Sequence, residues 1–232
     1  MQVALMKEKE KKFWMKPAIA LIYTAVFIFL LFNYFAEKVN QDLSDSMIRL
    51  HIVANSDSVQ DQALKYRVRD AVIGYMTKNM DGLKNKRNAI DFINSHLHEI
   101  EQVANNVIEQ EGIGNNVKAS FGKYPFPSKQ YANMILPAGF YDALKIEIGD
   151  AKGQNWWCVM FPPLCFTEDT KGELDEEYIS ILKEELSDEE IEIIINDGDK
   201  EIPVEIKFKI VEIFQESKIK LSGLFRGILN IQ

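Results

Sequence analysis

Cysteine, histidine and surplus positive charge are all scarce in this chain, and each scarcity removes a class of function. Two cysteines are too few for a disulfide scaffold and, with three histidines, too few for a cysteine-rich zinc module. His96 and His98 are two apart on an expected helix and face different ways, so they cannot chelate one ion as an i, i+4 pair does. Against 27 Lys and Arg stand 35 Asp and Glu, a net charge of −8, which argues against wholesale phosphate contact and so against nucleic acid. No Gly-x-Ser-x-Gly presents a nucleophile, and Gly149-Asp-Ala-Lys-Gly153 lacks the Gly-Lys-Ser/Thr ending of a phosphate loop. No internal repeat is visible. No metal, cofactor or small-molecule ligand is expected.

What is present first is a run without charge, Pro17 to Phe35. As a helix it reaches about 28 Å at ~1.5 Å per residue, close to a hydrocarbon core of about 30 Å. Lys7, Lys9, Lys11, Lys12 and Lys16 precede it against only Glu8 and Glu10, and the positive-inside bias then keeps the N-terminus in the cytoplasm and exports the acidic remainder. Bulky Tyr34 stands where a cleavage site wants a small residue, which favours an uncleaved anchor over a signal peptide. Residues 1–36 are thus read as a basic start plus a membrane anchor or signal segment, and 37–45 as a polar tether.

Residues 46–168 read as one α+β domain. Met47 to Ala54 alternates, with Ile48, Leu50 and Ile52 on one side and Arg49, His51 and Val53 on the other, the period of a strand. Asn55-Ser-Asp-Ser58 follows as an N-cap, since those side chains accept hydrogen bonds from the free amides of a first helical turn. A helix is expected from Val59 to Asn79 and a second from Arg87 to Glu111, where Ile90, Ile93, Leu97, Ile100, Val107 and Ile108 keep a three-four spacing. Four short β-like segments come next, Val117–Lys123, Tyr131–Leu136, Ala143–Ile148 and Asn155–Phe161, separated by proline and glycine turns. The expected architecture is two helices packed on one face of an antiparallel or mixed sheet. Residues 169–203 are an acidic linker with a short helix near Asp175–Leu186, and 204–232 an amphipathic C-terminal segment.

The candidate binding residues fall in two aromatic-proline groups. In Gly153-Gln-Asn-Trp-Trp-Cys to Phe-Pro-Pro-Leu-Cys-Phe166, adjacent Trp156 and Trp157 on a strand must point to opposite faces. Phe161, Pro162, Pro163 and Phe166 complete that loop, and Tyr124, Phe126 and Tyr131 form the second group; large rigid side chains of this kind anchor interfaces, and equally fill cores. Cys158 and Cys165, turned toward each other by the prolines, are either a disulfide that shapes the loop or two buried thiols. His51 with Asp57 and a serine is the one imaginable catalytic set, although a structural strand histidine is the commoner case.

Arg49-Leu-His-Ile-Val-Ala-Asn-Ser-Asp-Ser58, Asp61-Gln-Ala-Leu-Lys65, Val68-Arg-Asp-Ala-Val72, Phe121-Gly-Lys-Tyr-Pro-Phe-Pro127, Leu136-Pro-Ala-Gly139 and the Gly153 to Phe166 block together resemble the stage II sporulation protein R family over about residues 46–168. The resemblance implies a non-enzymatic signalling protein of endospore formation, made in the forespore and exported into the space between the septal membranes. There it would trigger a membrane-embedded aspartic protease of the mother cell to process the sigma factor E precursor. The rival readings are an exported hydrolase acting on cell wall or peptide through His51 and Asp57, and a membrane-surface adaptor working through the C-terminal stripe.

Overall fold

The computed structural model describes residues 2–80, 82–83, 85–131, 133–164, 176–188, 191 and 194–195. Phe166, Cys165 and the amphipathic segment at 204–232 lie outside them. Two units are separable, Met1–Gln41 and Asp42–Gln232.

Helix α1 runs Gln2–Ser46. In the first unit its large apolar side chains Ile19, Leu21, Phe27, Phe29, Leu31 and Tyr34 stand exposed. Among the described residues no helix is long and apolar enough to cross a membrane. The transmembrane helix expected at residues 17–35 is thus not found among the described residues. The polar tether read at 37–45 is also helical, because α1 continues to Ser46. Its last turn belongs to the second unit, where Leu43 is buried and Ser44 Oγ donates to the Phe140 carbonyl at 2.8 Å.

The second unit continues with β1 (Ile48–Val53), α2 (Val59–Met80), α3 (Lys86–Ser95), α4 (Leu97–Gln110), β2 (Val117–Phe126), a small hairpin of β3 (Lys129–Tyr131) and β4 (Met134–Leu136), β5 (Gly139–Ile148), β6 (Asn155–Phe161) and α5 (Glu176–Glu185). The main sheet has the order β2-β5-β1-β6. β1 runs parallel to β5, and β1 with β6 and β2 with β5 are antiparallel, so the sheet is mixed. The parallel pair at its centre requires a long crossover, which the three helices and β2 supply. Ile48, Leu50 and Ile52 of β1, Leu144, Ile146 and Ile148 of β5, and Cys158 and Met160 of β6 pack with Leu64, Val68, Val72 and Met76 of α2, Ile93 of α3, and Ile100, Ala104 and Ile108 of α4. Apolar periods of two and about 3.6 residues thus meet in one layer.

The second expected helix is two. At His96 the backbone leaves the helix (φ −115°, ψ 15°). Its ring Nδ1 lies 2.8 Å from the Phe92 carbonyl, and Ser95 Oγ donates to the Asp91 and Phe92 carbonyls. Side chains that bond the local backbone compete with helix continuation. Tyr131–Leu136 is likewise a hairpin, and β2 and β5 are longer than their apolar alternation showed. The acidic linker is partly folded: Tyr178, Leu182 and Leu186, four apart on and after α5, are buried, and Ile195 bridges Met134.

The polar cluster after β1 locks the sheet end. Ser58 caps α2, its Oγ accepting from Asp61 N–H at 3.1 Å. Asp61 accepts from Asn55 Nδ2 at 2.9 Å and from Ser56 Oγ, which hold its carboxyl below its ordinary value. Asn55 Oδ1 in turn accepts from Asp150 N–H, and Asp57 Oδ1 from Gln154 N–H. Gly149 has φ +56°, and a Cβ there would sit 2.3 Å from Asn55 Oδ1; one on Gly153 would sit 2.3 Å from the Ser56 carbonyl oxygen. The β1–α2 loop and the β5–β6 turn can approach this closely only with glycine at both places.

Candidate functional site

The face of the sheet away from α2–α4 carries different chemistry. Arg49, next to Leu50 on β1, points there because side chains alternate along a strand, and it is 0 % exposed. Its Nε donates to the Cys158 carbonyl at 3.2 Å and its Nη2 to Tyr131 Oη at 2.6 Å. Its guanidinium carbon lies 4.4 Å from the ring centroid of Phe126, 4.9 Å from Tyr141 and 5.5 Å from Tyr131. Nη1 is buried with no hydrogen-bond partner, and no carboxylate pairs with Arg49 among the described residues. Removing a cation from water costs several kcal/mol; desolvated aromatic faces return about 2 kcal/mol or more each. The cage holds the charge without neutralising it.

Burial dominates the titration of the neighbours. Tyr141, whose Oη donates to the Pro137 carbonyl at 2.8 Å, and Tyr131 both have hydroxyls pushed up by burial, with Arg49 pulling the other way. His51, two residues along β1, is lowered to about 4 by burial, against the opposing hydrogen bond to Asn155. It is therefore neutral at pH 7, and its ring stacks on Trp157 with centroids 3.8 Å apart. Phe126 joins the two halves, lying 4.7 Å from Trp157, 5.9 Å from His51 and 5.8 Å from Tyr141.

The two aromatic groups of the sequence thus converge through Trp157, Phe126 and Tyr131. Trp156 goes to the opposite face, edge-on to Tyr66 at 5.5 Å and under the Arg69 guanidinium at 4.5 Å, its Nε1 buried and unpartnered. Tyr124 is half-buried on β2, its Oη donating to Ser120 Oγ at 2.9 Å, with Lys145 Nζ 5.5 Å from its ring. Phe126 (1 % exposed) and Phe161 (4 %) are interior side chains. Pro162 is buried, and Pro163 is exposed at the turn beyond β6. Cys158 is buried on β6 opposite Leu50 and is not a free thiol.

His51 and Asp57 are not brought together. His51 Nε2 lies 2.7 Å from Asn155 Oδ1, and Asp57 is held by the Gln154 amide. A neutral imidazole whose partner is an amide has no carboxylate to orient it as a general base. Among the described residues no group of three or more His, Cys, Asp or Glu could hold a metal ion. Arg49 is the site residue that sequence reasoning passed over. Its available signal was an arginine on the outward register of a strand whose other members are nearly all apolar, the mark of a strand buried on both faces.

A family model for stage II sporulation protein R matches residues 44–171. The chain is 39 % identical over 183 residues to stage II sporulation protein R of Bacillus subtilis (strain 168), covering 73 % of this chain and 80 % of that protein. No solved structure matches.

Proposed function

Because the chain belongs to the stage II sporulation protein R family, we propose that it is an exported signalling protein of endospore formation that works by contact and not by turnover. The sporulation role follows from membership. The finer reading is that residues 46–168 sit between the septal membranes and activate the membrane-embedded aspartic protease of the mother cell that processes the sigma factor E precursor. The observation that carries it is that Trp157 and Tyr131 are partly exposed on the sheet face away from α2–α4, with Phe126 buried behind them. Aromatic anchors in a packed cluster are what a binding surface needs, and only differential affinity for the active arrangement can switch a partner.

In this reading the apolar exposed stretch of α1, within residues 17–35, lies in the lipid of the forespore membrane with the basic start in the cytoplasm. Large apolar side chains exposed over such a length are stable in water only when something covers them. A Cys158–Cys165 disulfide closes the loop that follows β6, a bond allowed in an exported protein.

The test is reconstituted cleavage of the sigma precursor by the protease, with and without the full chain. Trp157→Ala is expected to abolish cleavage while the far-ultraviolet circular dichroism spectrum stays that of the parent and the denaturation midpoint falls only by the lost packing on His51 and Phe126. Normal activation by both Trp156→Ala and Trp157→Ala would remove these residues from the contact. Full activation by His51→Phe, which keeps the ring stack but no ionisable group, would dispose of the hydrolase reading.

A further inference from the structure

The geometry points to Arg49 as a carboxylate receptor, occupied by an acidic side chain of the protein that this chain activates. The inference rests on the signalling role proposed above and adds the chemistry of the contact. Three observations carry it. The guanidinium is wholly buried, no carboxylate among the described residues neutralises it, and the two N–H groups of Nη1 have no acceptor. A buried donor left unpaired is costly, and a buried charge left unpaired more so; a planar fork with one free side selects a planar anion over a spherical one.

Part of the cover over the site is a small hairpin. Tyr131, which takes Nη2, rides on a hairpin of only three residue pairs, Lys129–Leu136, Gln130–Ile135 and Tyr131–Met134. A two-stranded unit of that size is marginal by itself. When the Tyr131 hydroxyl swings away, Nη1 and Nη2 together present the parallel pair of donors that a carboxylate accepts. Phe126 and Tyr141 remain as walls, and Trp157 stands beside Phe126 as an apolar anchor for the chain that brings the carboxylate.

The experiment uses the full chain in detergent micelles with ¹⁵N-labelled arginine, titrated with sodium acetate against sodium chloride at matched ionic strength. The Arg49 Nε–H signal, assigned by its absence in Arg49→Met, is expected to move saturably with acetate and not with chloride. No acetate-specific movement overturns the receptor. A signal that is insensitive to acetate in the parent, but moves when Glu168→Gln and Asp169→Asn are introduced, shows that the chain's own acidic segment fills the site and overturns the assignment to a partner. In the cleavage assay Arg49→Met and Arg49→Lys are both expected to lower activation at least tenfold. Lys keeps the charge, so its failure reports the fork. If the parent activates and both variants match it, the receptor falls and the signalling role stands; if the parent does not activate at all, the signalling role falls while the acetate response is still read directly.

Discussion

The two faces of the sheet are made by the same strands and have opposite tasks. On the helix side, Leu50, Ile52, Leu144 and Ile146 share one apolar cluster with side chains of α2, α3 and α4. One residue along each strand, the other face holds Arg49, His51, Tyr141 and Lys145, with Trp157 from β6. The first face is a core in the ordinary sense, where transfer from water gives the stability. The second has a neutral buried histidine and a caged cation, groups that cost stability and are retained beside aromatic anchors. A fold can carry such groups because the first face stabilises the whole.

The largest effect expected from breaking this contrast is on the helix side. Ile52→Ala or Leu64→Ala, both wholly buried, should cost about 2–5 kcal/mol by urea denaturation, from lost transfer energy plus the cavity left behind.

A pH scan reads the other face. His51 has a folded pKa of about 4 against 6.5 when free, so the unfolded chain binds a proton that the folded one does not. Stability is unaffected above about pH 6.5 and falls as pH drops from there toward about 4, by on the order of 3 kcal/mol in full. His51→Phe should flatten this stretch of the profile. Asp61 acts at the other end of the acid limb. Its lowered pKa contributes stability that is present above the ordinary carboxylate value and lost only below it.

Gly149→Ala, which brings a Cβ against Asn55 at a positive φ, should cost about 1–3 kcal/mol and leave the aromatic face unchanged in its near-ultraviolet spectrum. At the small end, Lys152→Ala removes an exposed ion pair to Asp150 and should leave the denaturation midpoint within about 0.5 kcal/mol of the parent. A large loss there would mean that the β5–β6 turn depends on more than the glycine approach.

Much of this architecture could be read before any coordinates. β1, α2 and β6 fall where alternation and three-four spacing place them, and Ser58 caps α2 as its side-chain chemistry requires. The break at His96 escaped because the apolar spacing runs on across it, while the cause is a pair of side chains bonding carbonyls. The β3–β4 hairpin escaped because three-residue strands are too short to show a period. At the site, the two aromatic groups were visible as composition. Their meeting was not, since Phe126 and Trp157 are 31 positions apart and adjoin only through β5 and β1, which lie between their strands.

From residue order alone came the elements, the uncharged run near the start, the opposite pointing of Trp156 and Trp157, and the family blocks, because each depends on periods or on neighbours in the chain. Only the tertiary structure decided that Arg49 is a caged cation with one side of its fork free and that His51 is neutral beside Asn155. Burial and partnership are properties of strands brought side by side, and the order β2-β5-β1-β6 that brings them together is written in no local pattern.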